Sequence, residues 1–169
     1  MTSALTVRLV EPHEYARVSE LTVAAYTADY EGLPADYLAE LGAVEQRAVA
    51  HQVWVAVDDD TGEILGAMAT GKPGEAISSL AGEGELDFRL LAVDPAARGR
   101  GVGRALTEFT YDLAKERGLR RVVMNSAKYM VGAHRLYFWL GFEREPQREQ
   151  TVEIAPGELL ELYVFGRDV

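Results

Sequence analysis

The chain has 169 residues, of which 48% are hydrophobic and 26% charged, and its 27 acidic and 17 basic residues give a net charge of −10. This length predicts one domain with a substantial core, and the acidic balance argues against nucleic acid, whose phosphates require a basic surface. The absence of cysteine excludes disulfides, thiolate metal sites and a cysteine nucleophile, and agrees with a cytoplasmic location. No apolar run approaches the roughly 18 residues of a membrane helix, and no secretory leader is recognised, so no membrane partner is expected.

The first half of the chain combines strand and helix patterns. Residues 6–10 alternate polar and apolar side chains, as a strand does, whereas apolar positions from Tyr15 to Ala25 recur at helical spacing. Gly62 supplies the positive φ that a tight hairpin turn requires. The predicted elements are a strand over 6–10, a helix over 15–25, a loop over 26–32, a helix over 34–48 and hairpin strands over 52–57 and 64–70.

The second half predicts a mixed α/β order. A glycine-rich loop over 71–84 comes first, and Gly118 ends the longest helix. The elements after the loop are strands over 86–93, 119–125, 142–144 and 159–165 and helices over 102–117 and 131–140. Together the two halves give the order β α α β β β α β α β β.

A glycine-rich segment lies between the strand over 86–93 and the next helix. Pro95 ends the strand because proline has no amide proton for a ladder hydrogen bond. Glycines then alternate with basic residues up to the helix, where unpaired amides and partial positive charge favour an anion. These residues are Arg98, Gly99, Arg100, Gly101, Gly103 and Arg104. The segment therefore predicts a phosphate or diphosphate site.

Two common phosphate-binding motifs do not fit this segment. A P-loop requires Lys-Ser or Lys-Thr after its last glycine, and Arg104-Ala105 stands there instead. A dinucleotide fingerprint requires a small residue three places after its second glycine, where this chain has Arg104 or Leu106, depending on the starting glycine. A nucleotide enzyme is therefore disfavoured.

Two segments resemble the signatures of one enzyme family. Arg98-x-x-Gly101-x-Gly103, directly after a strand, is similar to the acetyl-coenzyme A (acetyl-CoA) segment Gln/Arg-x-x-Gly-x-Gly/Ala of the GCN5-related N-acetyltransferases (GNATs). Residues 133–142 resemble the family's Ala-x-x-Leu-Tyr-x-x-Leu-Gly-Phe. The two occur in the family's order, about 30 residues apart. The chain is therefore identified, by resemblance, as a single GNAT domain over residues 1–169.

The resemblance implies a fold and an acyl donor. The implied fold is α/β, with a mixed, mostly antiparallel sheet of about seven strands, flanked by about four helices and splayed between strands 4 and 5. Acetyl-CoA would place its pantetheine arm in the splay and its diphosphate on the glycine segment. The implied cofactor-binding residues are Leu91, Ala92, Val93, Arg98, Gly99, Arg100, Gly101, Val102, Gly103, Arg104 and Met130. Met130 stands where the family often has asparagine, so we expect it to pack against the arm without donating a hydrogen bond.

Tyr137 occupies the tyrosine position of the second signature, which the family uses as a general acid for the departing thiolate. A phenol of pKa ~10 giving its proton to a thiol of pKa ~8.5 is uphill by roughly 1.5 units, about 2 kcal/mol. We therefore expect Tyr137 to donate a hydrogen bond or to relay the proton that the amine releases. The alternative is a tyrosine that only packs in the core.

Asp87 lies where histone-acetylating relatives carry a glutamate base, and Glu85 is its nearby substitute. An aspartate of pKa ~3.9 facing an alkylammonium of pKa ~10.4 lies roughly 6.5 units, about 9 kcal/mol, short of direct deprotonation. Asp87 acts as a base only if desolvation raises its pKa, water relays the proton or the amine arrives neutral. Otherwise it binds or orients a cationic substrate, and both alternatives stay open.

The acceptor is expected near Tyr26 and Tyr30 in the predicted loop over 26–32, and near Asn125 and Ser126 at a strand end. The alternatives are an ordinary surface loop and a simple end to the strand. The three histidines, His13, His51 and His134, are expected to pack or lie on the surface, and no metal site is predicted.

The predicted function is transfer of an acetyl group from acetyl-CoA to a primary amine of a small molecule or protein, by direct attack in a ternary complex. The alternative is a non-catalytic module of the same fold that binds acyl-CoA as a sensor. The expected partners are acetyl-CoA and the amine acceptor. A homodimer is left open.

Overall fold

The computed structural model describes residues 3–169, which form a central sheet with helices on both faces. The strands are β1 (Leu5–Leu9), β2 (Gln52–Asp58), β3 (Ile64–Thr70), β4 (Glu85–Val93), β5 (Arg121–Ala127), β6 (Glu143–Arg144), β7 (Gln150–Ala155) and β8 (Glu158–Asp168). The helices are α1 (Tyr15–Asp29), α2 (Ala35–Gly42), α3 (Val44–Ala50), α4 (Val102–Glu116) and α5 (Val131–Trp139). Short 3-10 helices lie at Pro12–Glu14, Pro95–Ala97 and Pro146–Arg148.

The strand order is β1-β2-β3-β4-β5-β8-β6, with β7 also paired to β8. Among the described residues only β4 and β5 pair in parallel, which confirms the predicted mixed, mostly antiparallel sheet. The described residues contain eight strands and five α-helices, one more of each than predicted. No strand is predicted from the sequence at β7, which is short and mostly exposed, although Val152 and Ile154 alternate with polar residues in it. The helix predicted over 34–48 is two helices, separated at Ala43, whose ψ of 58° interrupts the helical backbone.

The side chains of β2 show how the sheet separates two apolar cores. Val53, Val55 and Val57 belong to the core that α1 and α3 cover, and Trp54 and Ala56 belong to the core that α4 and α5 cover. Successive strand residues point to opposite faces, so a strand covered on both faces is apolar at nearly every position. The α1 face and the α4 face are named after these helices below.

A bulge in β4 opens the sheet. Leu90 has a φ of 56°, a backbone conformation that is rare for a large side chain. The register with β3 shifts there, so that Leu90 and Leu91 together stand opposite Met68. On its other side β4 pairs with β5 only from Glu85 to Asp87, and beyond that point the two strands diverge. The second half of β4 therefore has one edge without a partner strand.

Candidate active site

A cavity of about 670 Å³ lies where β4 and β5 diverge, and the end of α1 and the beginnings of α4 and α5 also bound it. Most of the residues predicted from the sequence meet there. The predicted residues that line the cavity are Tyr26, Tyr30, Leu91, Ala92, Val93, Arg98, Gly99, Gly101, Val102, Gly103, Arg104, Asn125, Ser126, Met130 and Tyr137. Asp87, Glu85 and Arg100 do not line it.

The glycine segment presents unbonded main-chain amides at one end of the cavity. The Ala97 amide donates to the Asp94 carbonyl at 2.8 Å, and the Ala105 amide donates to the Gly101 carbonyl at 2.9 Å. Within the described residues, none of the amides from 98 to 104 donates a hydrogen bond to the protein. Successive free amides at the start of a helix form a concave site for an anion.

The glycines of this segment serve two different purposes. Gly99 and Gly101 have φ values of 79° and 80°, and a Cβ at either would meet nothing within 4 Å, so backbone conformation alone demands glycine there. A Cβ at Gly103 would approach Leu136 Cδ2 to 3.3 Å. Gly103 therefore allows α4 and α5 to lie close together beside the cavity.

The three arginines of the segment are all paired. Arg98 forms a bidentate pair with Asp29 at 2.7 and 2.8 Å, and its guanidinium borders the cavity. Arg104 pairs with Glu108 at 3.0 Å and stacks over Trp139. Both bring positive charge to the part of the cavity that the glycine segment borders, although their partners offset part of that charge.

Arg100 points away from the cavity, which corrects its predicted role in holding the cofactor with its side chain. Its guanidinium pairs at 2.5 Å with Asp58, the last residue of β2. Hydrogen bonds from Ser3 and from Arg100 keep the pKa of Asp58 well below its usual range. Arg100 therefore fastens the glycine segment to the end of β2, and only the main chain of Arg100 is available to a ligand.

The middle of the cavity is the gap between β4 and β5. Leu91, Ala92 and Val93 line it, and the main-chain groups along this side of β4 have no strand partner. Met130 lies across the gap, in contact with Ser126 at 3.4 Å between Sδ and Oγ. An amide-bearing arm could therefore add to the open strand edge as a further strand would.

Ser126 also contacts a buried histidine. His134 Nε2 lies 3.2 Å from Ser126 Oγ, and burial lowers the pKa of His134, although a main-chain hydrogen bond with Ala127 opposes this. A lowered pKa keeps the imidazole neutral near pH 7. The contact between Nε2 and the hydroxyl holds Ser126 in place beside the cavity, and the imidazole tautomer sets which of the two groups donates. The packing role expected for His134 thus includes a polar contact that spacing along the sequence did not indicate.

Tyr137 is at once a core residue and a cavity residue. It is only 5% exposed, and its ring packs against Phe88, Phe142 and Phe165 with centroids 6.5, 5.9 and 5.5 Å away. The residue borders the cavity, and within residues 3–169 its hydroxyl has no hydrogen-bond partner. Burial raises the pKa of Tyr137, which favours hydrogen-bond donation over proton release.

The two acids predicted as the general base are held elsewhere, which corrects that prediction. Asp87 is 2% exposed and accepts hydrogen bonds from the Ile77 amide at 2.9 Å and from the amide and hydroxyl of Ser78. Glu85 accepts two hydrogen bonds from Arg148 at 2.9 Å. Burial would raise the pKa of Glu85, but hydrogen bonds to Arg148 and the Gly82 amide lower it overall. Asp87 therefore fastens the loop over 71–84, and neither carboxylate reaches the cavity.

Tyrosines line the part of the cavity beside the last turn of α1, which is called the tyrosine-lined end below. Tyr26 belongs to the last turn of α1, and Tyr30 caps that helix, so the loop predicted over 26–32 begins later than expected. The Tyr30 ring lies 6.1 Å from that of Tyr26 and 4.9 Å from that of Tyr129. Burial raises the pKa of Tyr26 strongly and that of Tyr30 to about 12, so both hydroxyls stay protonated at neutral pH.

Sequence reasoning missed two residues at this end. Tyr129 and Arg89 line the cavity, beside Asn125. The signal for Arg89 is a single charge within the apolar part of the predicted strand over 86–93. No pattern in the sequence indicated Tyr129, because it follows β5 in an irregular segment.

The model of the acetyltransferase (GNAT) domain family matches residues 50–144 of this chain. The chain belongs to the GNAT family. The match includes the hairpin of β2 and β3, the bulged strand, the glycine segment and α5. The resemblance predicted from the two signatures is confirmed.

Curated relatives of this GNAT match it over part of their length. It is 37% identical over 90 residues to a mycothiol acetyltransferase of Beutenbergia cavernae, covering 53% of this chain and 28% of that protein. It is 27% identical over 112 residues to an N-acetylaspartate synthetase of Danio rerio, covering 66% of this chain and 36% of that protein. The chain thus spans well under half the length of these curated relatives.

Solved structures match the GNAT over its whole length. A GCN5-related N-acetyltransferase from Kribbella flavida superposes with a TM-score of 0.65 at 26% identity, covering 98% of each chain. The yncA protein of Salmonella typhimurium, solved with acetyl-CoA, superposes with a TM-score of 0.67 at 23% identity, covering 98% of this chain and 94% of that one. The GNAT fold expected from the sequence is therefore confirmed.

Proposed function

We propose that this GNAT transfers an acetyl group from acetyl-CoA to a primary amine, by direct attack in a ternary complex. The observation that carries the proposal is the run of unbonded amides from 98 to 104, at one end of a cavity that Tyr137 also borders. A diphosphate at these amides would leave the pantetheine arm beside the open edge of β4. The acyl group would then lie towards the tyrosine-lined end.

Each part of acetyl-CoA has a chemical counterpart in the cavity. Arg98 and Arg104 add charge to the amides for the diphosphate, and the main chain of residues 91–93 offers hydrogen bonds to the pantetheine amides. Met130 supplies apolar contact across the gap. A main-chain amide near Leu91 would stabilise the carbonyl oxygen as negative charge develops on it.

The transfer would proceed in one displacement. The amine lone pair attacks the thioester carbonyl carbon, a C–N bond forms, the C–S bond breaks, and the electron pair leaves on sulfur. Tyr137 donates a hydrogen bond to that sulfur. Among the described residues the one carboxylate that lines the cavity is Asp29, and it is paired with Arg98. Water therefore takes the proton that the amine nitrogen loses after its attack. An alkylamine of pKa ~10.4 is about 0.4% neutral at pH 8, and this neutral fraction is the reactive species.

The alternative function is a module that binds acyl-CoA without turning it over. The observation favouring it is the engagement of Asp87 and Glu85 outside the cavity, which leaves the described site without a carboxylate base. A sensor would bind acetyl-CoA as tightly as an enzyme would. It would release no thiol with any amine.

Two measurements test the proposal. Calorimetric titration should give binding of acetyl-CoA and CoA, and none of ATP or NAD at matched concentrations. Thiol release with a panel of amines should then exceed the rate without amine. Failure to bind acetyl-CoA would overturn the proposal, and binding without turnover of any amine would favour the sensor.

The acceptor, the assembly and the location of the protein belong to this proposal as well. The named acceptors of similar proteins vary, and one similar structure is a spermidine N-acetyltransferase of Vibrio cholerae in complex with CoA and spermine. Within residues 3–169, each helix is too short or too polar to cross a bilayer. A homodimer, a cytoplasmic location and a single domain over residues 1–169 stay predictions. Sedimentation of the purified chain at several concentrations tests the homodimer.

A further inference from the structure

The tyrosine-lined end of the cavity contains an arginine without a partner. Arg89 is exposed and lines the cavity, and within residues 3–169 its guanidinium makes no hydrogen bond or ion pair. The other two arginines that line the cavity, Arg98 and Arg104, are paired with Asp29 and Glu108. Arg89 is thus the cation of this cavity that the described residues do not neutralise.

The position of Arg89 in β4 places it on the side of the sheet that faces the tyrosine-lined end of the cavity. Arg89 stands opposite Ala69 of β3, and Ala69 belongs to the core on the α1 face. Residues directly opposite each other on neighbouring strands share a face, so Arg89 lies on the α1 face, where Tyr26 and Tyr37 also lie. Burial raises the pKa of both tyrosines, and the positive charge of Arg89 opposes part of that rise. Arg89 therefore lies close enough to the Tyr26 and Tyr37 hydroxyls for its charge to affect them.

Among the described residues, no free carboxylate at the tyrosine-lined end is available to pair with Arg89. Asp29 is the one carboxylate lining the cavity within residues 3–169, and both of its oxygens bond Arg98. Tyr26 and Tyr30 cannot neutralise a cation, because burial raises their pKa values and keeps them protonated. An acceptor with a second positive charge would meet Arg89 without compensation.

We propose that Arg89 binds a carboxylate carried by the acceptor, so that the substrate of this GNAT is an amino acid or a similar small amine with its own carboxylate. This inference rests on the proposed transferase function. A guanidinium offers two parallel N–H donors that match the two oxygens of a carboxylate. The hydroxyls of Tyr26 and Tyr30 can add neutral hydrogen bonds at the same end. A carboxylate at Arg89 would hold the molecule while its amine faces the thioester.

The test compares amines that differ by one carboxylate. Suitable pairs are phenylalanine with 2-phenylethylamine, histidine with histamine, and lysine with cadaverine, extended to the remaining amino acids and their amides. CoA release is measured at saturating acetyl-CoA, and rates are expressed per neutral amine to remove differences in amine pKa. The proteins are the unmodified chain, Arg89→Gln and Arg135→Gln. Arg135 is exposed on α5 and does not line the cavity, so Arg135→Gln is a control that removes the same charge.

We expect the unmodified chain to prefer the carboxylate-bearing member of a pair. Arg89→Gln should lower kcat/KM for that member about 10- to 100-fold, mainly through KM, as loss of a charged hydrogen bond does. The decarboxylated amine and the KM for acetyl-CoA should change less than about threefold, and Arg135→Gln should behave as the unmodified chain. The unchanged KM for acetyl-CoA shows that the variant is folded.

Other outcomes separate this inference from the proposed function. Preference for the decarboxylated amines, or an equal loss on both members in Arg89→Gln, overturns the role of Arg89 and leaves the transferase function standing. Acetylation of none of the compounds, with acetyl-CoA still bound, overturns the role of Arg89 and favours the sensor. Failure to bind acetyl-CoA overturns the proposed function itself.

Discussion

Replacement of Gly101 by alanine should weaken acetyl-CoA binding without any steric clash. A Cβ at Gly101 would meet nothing within 4 Å, but the φ of 80° is unfavourable for a residue with a side chain. Holding an L-residue there costs about 1–2 kcal/mol. The amides around Gly101 are unbonded, so the free segment can relax to a different conformation, and the ligand must restore the original one. Acetyl-CoA should therefore bind about 5- to 30-fold more weakly, since 1.4 kcal/mol corresponds to a factor of ten.

Gly118→Ala provides a matched control for this variant. Gly118 has a φ of 69° and equally open surroundings, but its amide donates to Lys115 at 3.0 Å and it does not line the cavity. Its hydrogen bond fixes the backbone, so the same strain should lower the free energy of unfolding and leave the Kd of acetyl-CoA unchanged. Calorimetry and thermal unfolding measure both quantities. A Gly101→Ala protein that binds acetyl-CoA within about twofold of the unmodified Kd would refute the diphosphate site at these amides.

Three further predictions concern the reaction and the loop over 71–84. Tyr137→Phe should leave the Kd of acetyl-CoA unchanged and lower kcat about 10- to 100-fold, through loss of a hydrogen bond to the thiolate; an unmodified kcat would exclude that role. Asp87→Asn should lower the free energy of unfolding by about 1–3 kcal/mol and change kcat little. The carboxamide NH2 of asparagine would face the amide donors of Ile77 and Ser78, which a carboxylate oxygen accepts from. A stable variant with a much reduced kcat would instead indicate that Asp87 is a base. In a plot against pH, the logarithm of kcat/KM should rise with slope one up to the pKa of the acceptor amine. It should show no descending limb below about pH 10, because burial raises the pKa of Tyr137 and keeps its hydroxyl protonated. A plateau beginning near pH 7 would indicate a base supplied by the enzyme.

Local patterns in the sequence predicted most of the elements and the glycine segment that borders the cavity. The helix predicted over 102–117 is α4, and the strand predicted over 64–70 is β3, because periodicity and turn residues are properties of neighbouring positions. The glycine segment was found for the same reason, since its residues and its spacing lie within one short stretch. Strand β7 was not predicted because its alternation covers only Val152 and Ile154, too short a pattern to stand out from an exposed loop.

The errors in the site concern contacts between distant residues. Asp87 is bonded by a loop about ten residues earlier in the chain, and nothing in the glycine-rich composition of that loop indicates that it folds back onto β4. Arg100 meets Asp58 across 42 positions. In each case a charged side chain in a suitable local motif was assigned to a ligand, whereas the folded chain provides a partner of its own.

The additional residue at Leu90 changes the phase of β4. Phe88 faces the α4 core, and in a regular strand Ala92 would face it too, but Ala92 packs in the α1 core, while Leu91 and Val93 turn towards α4. The side chains of β4 therefore alternate between the two faces of the sheet with one phase up to Arg89 and with the opposite phase from Leu91 onwards. Substitutions before the bulge therefore leave the side-chain phase of residues 91–93 unchanged, whereas deletion of Leu90 would turn those side chains to the opposite faces of the sheet.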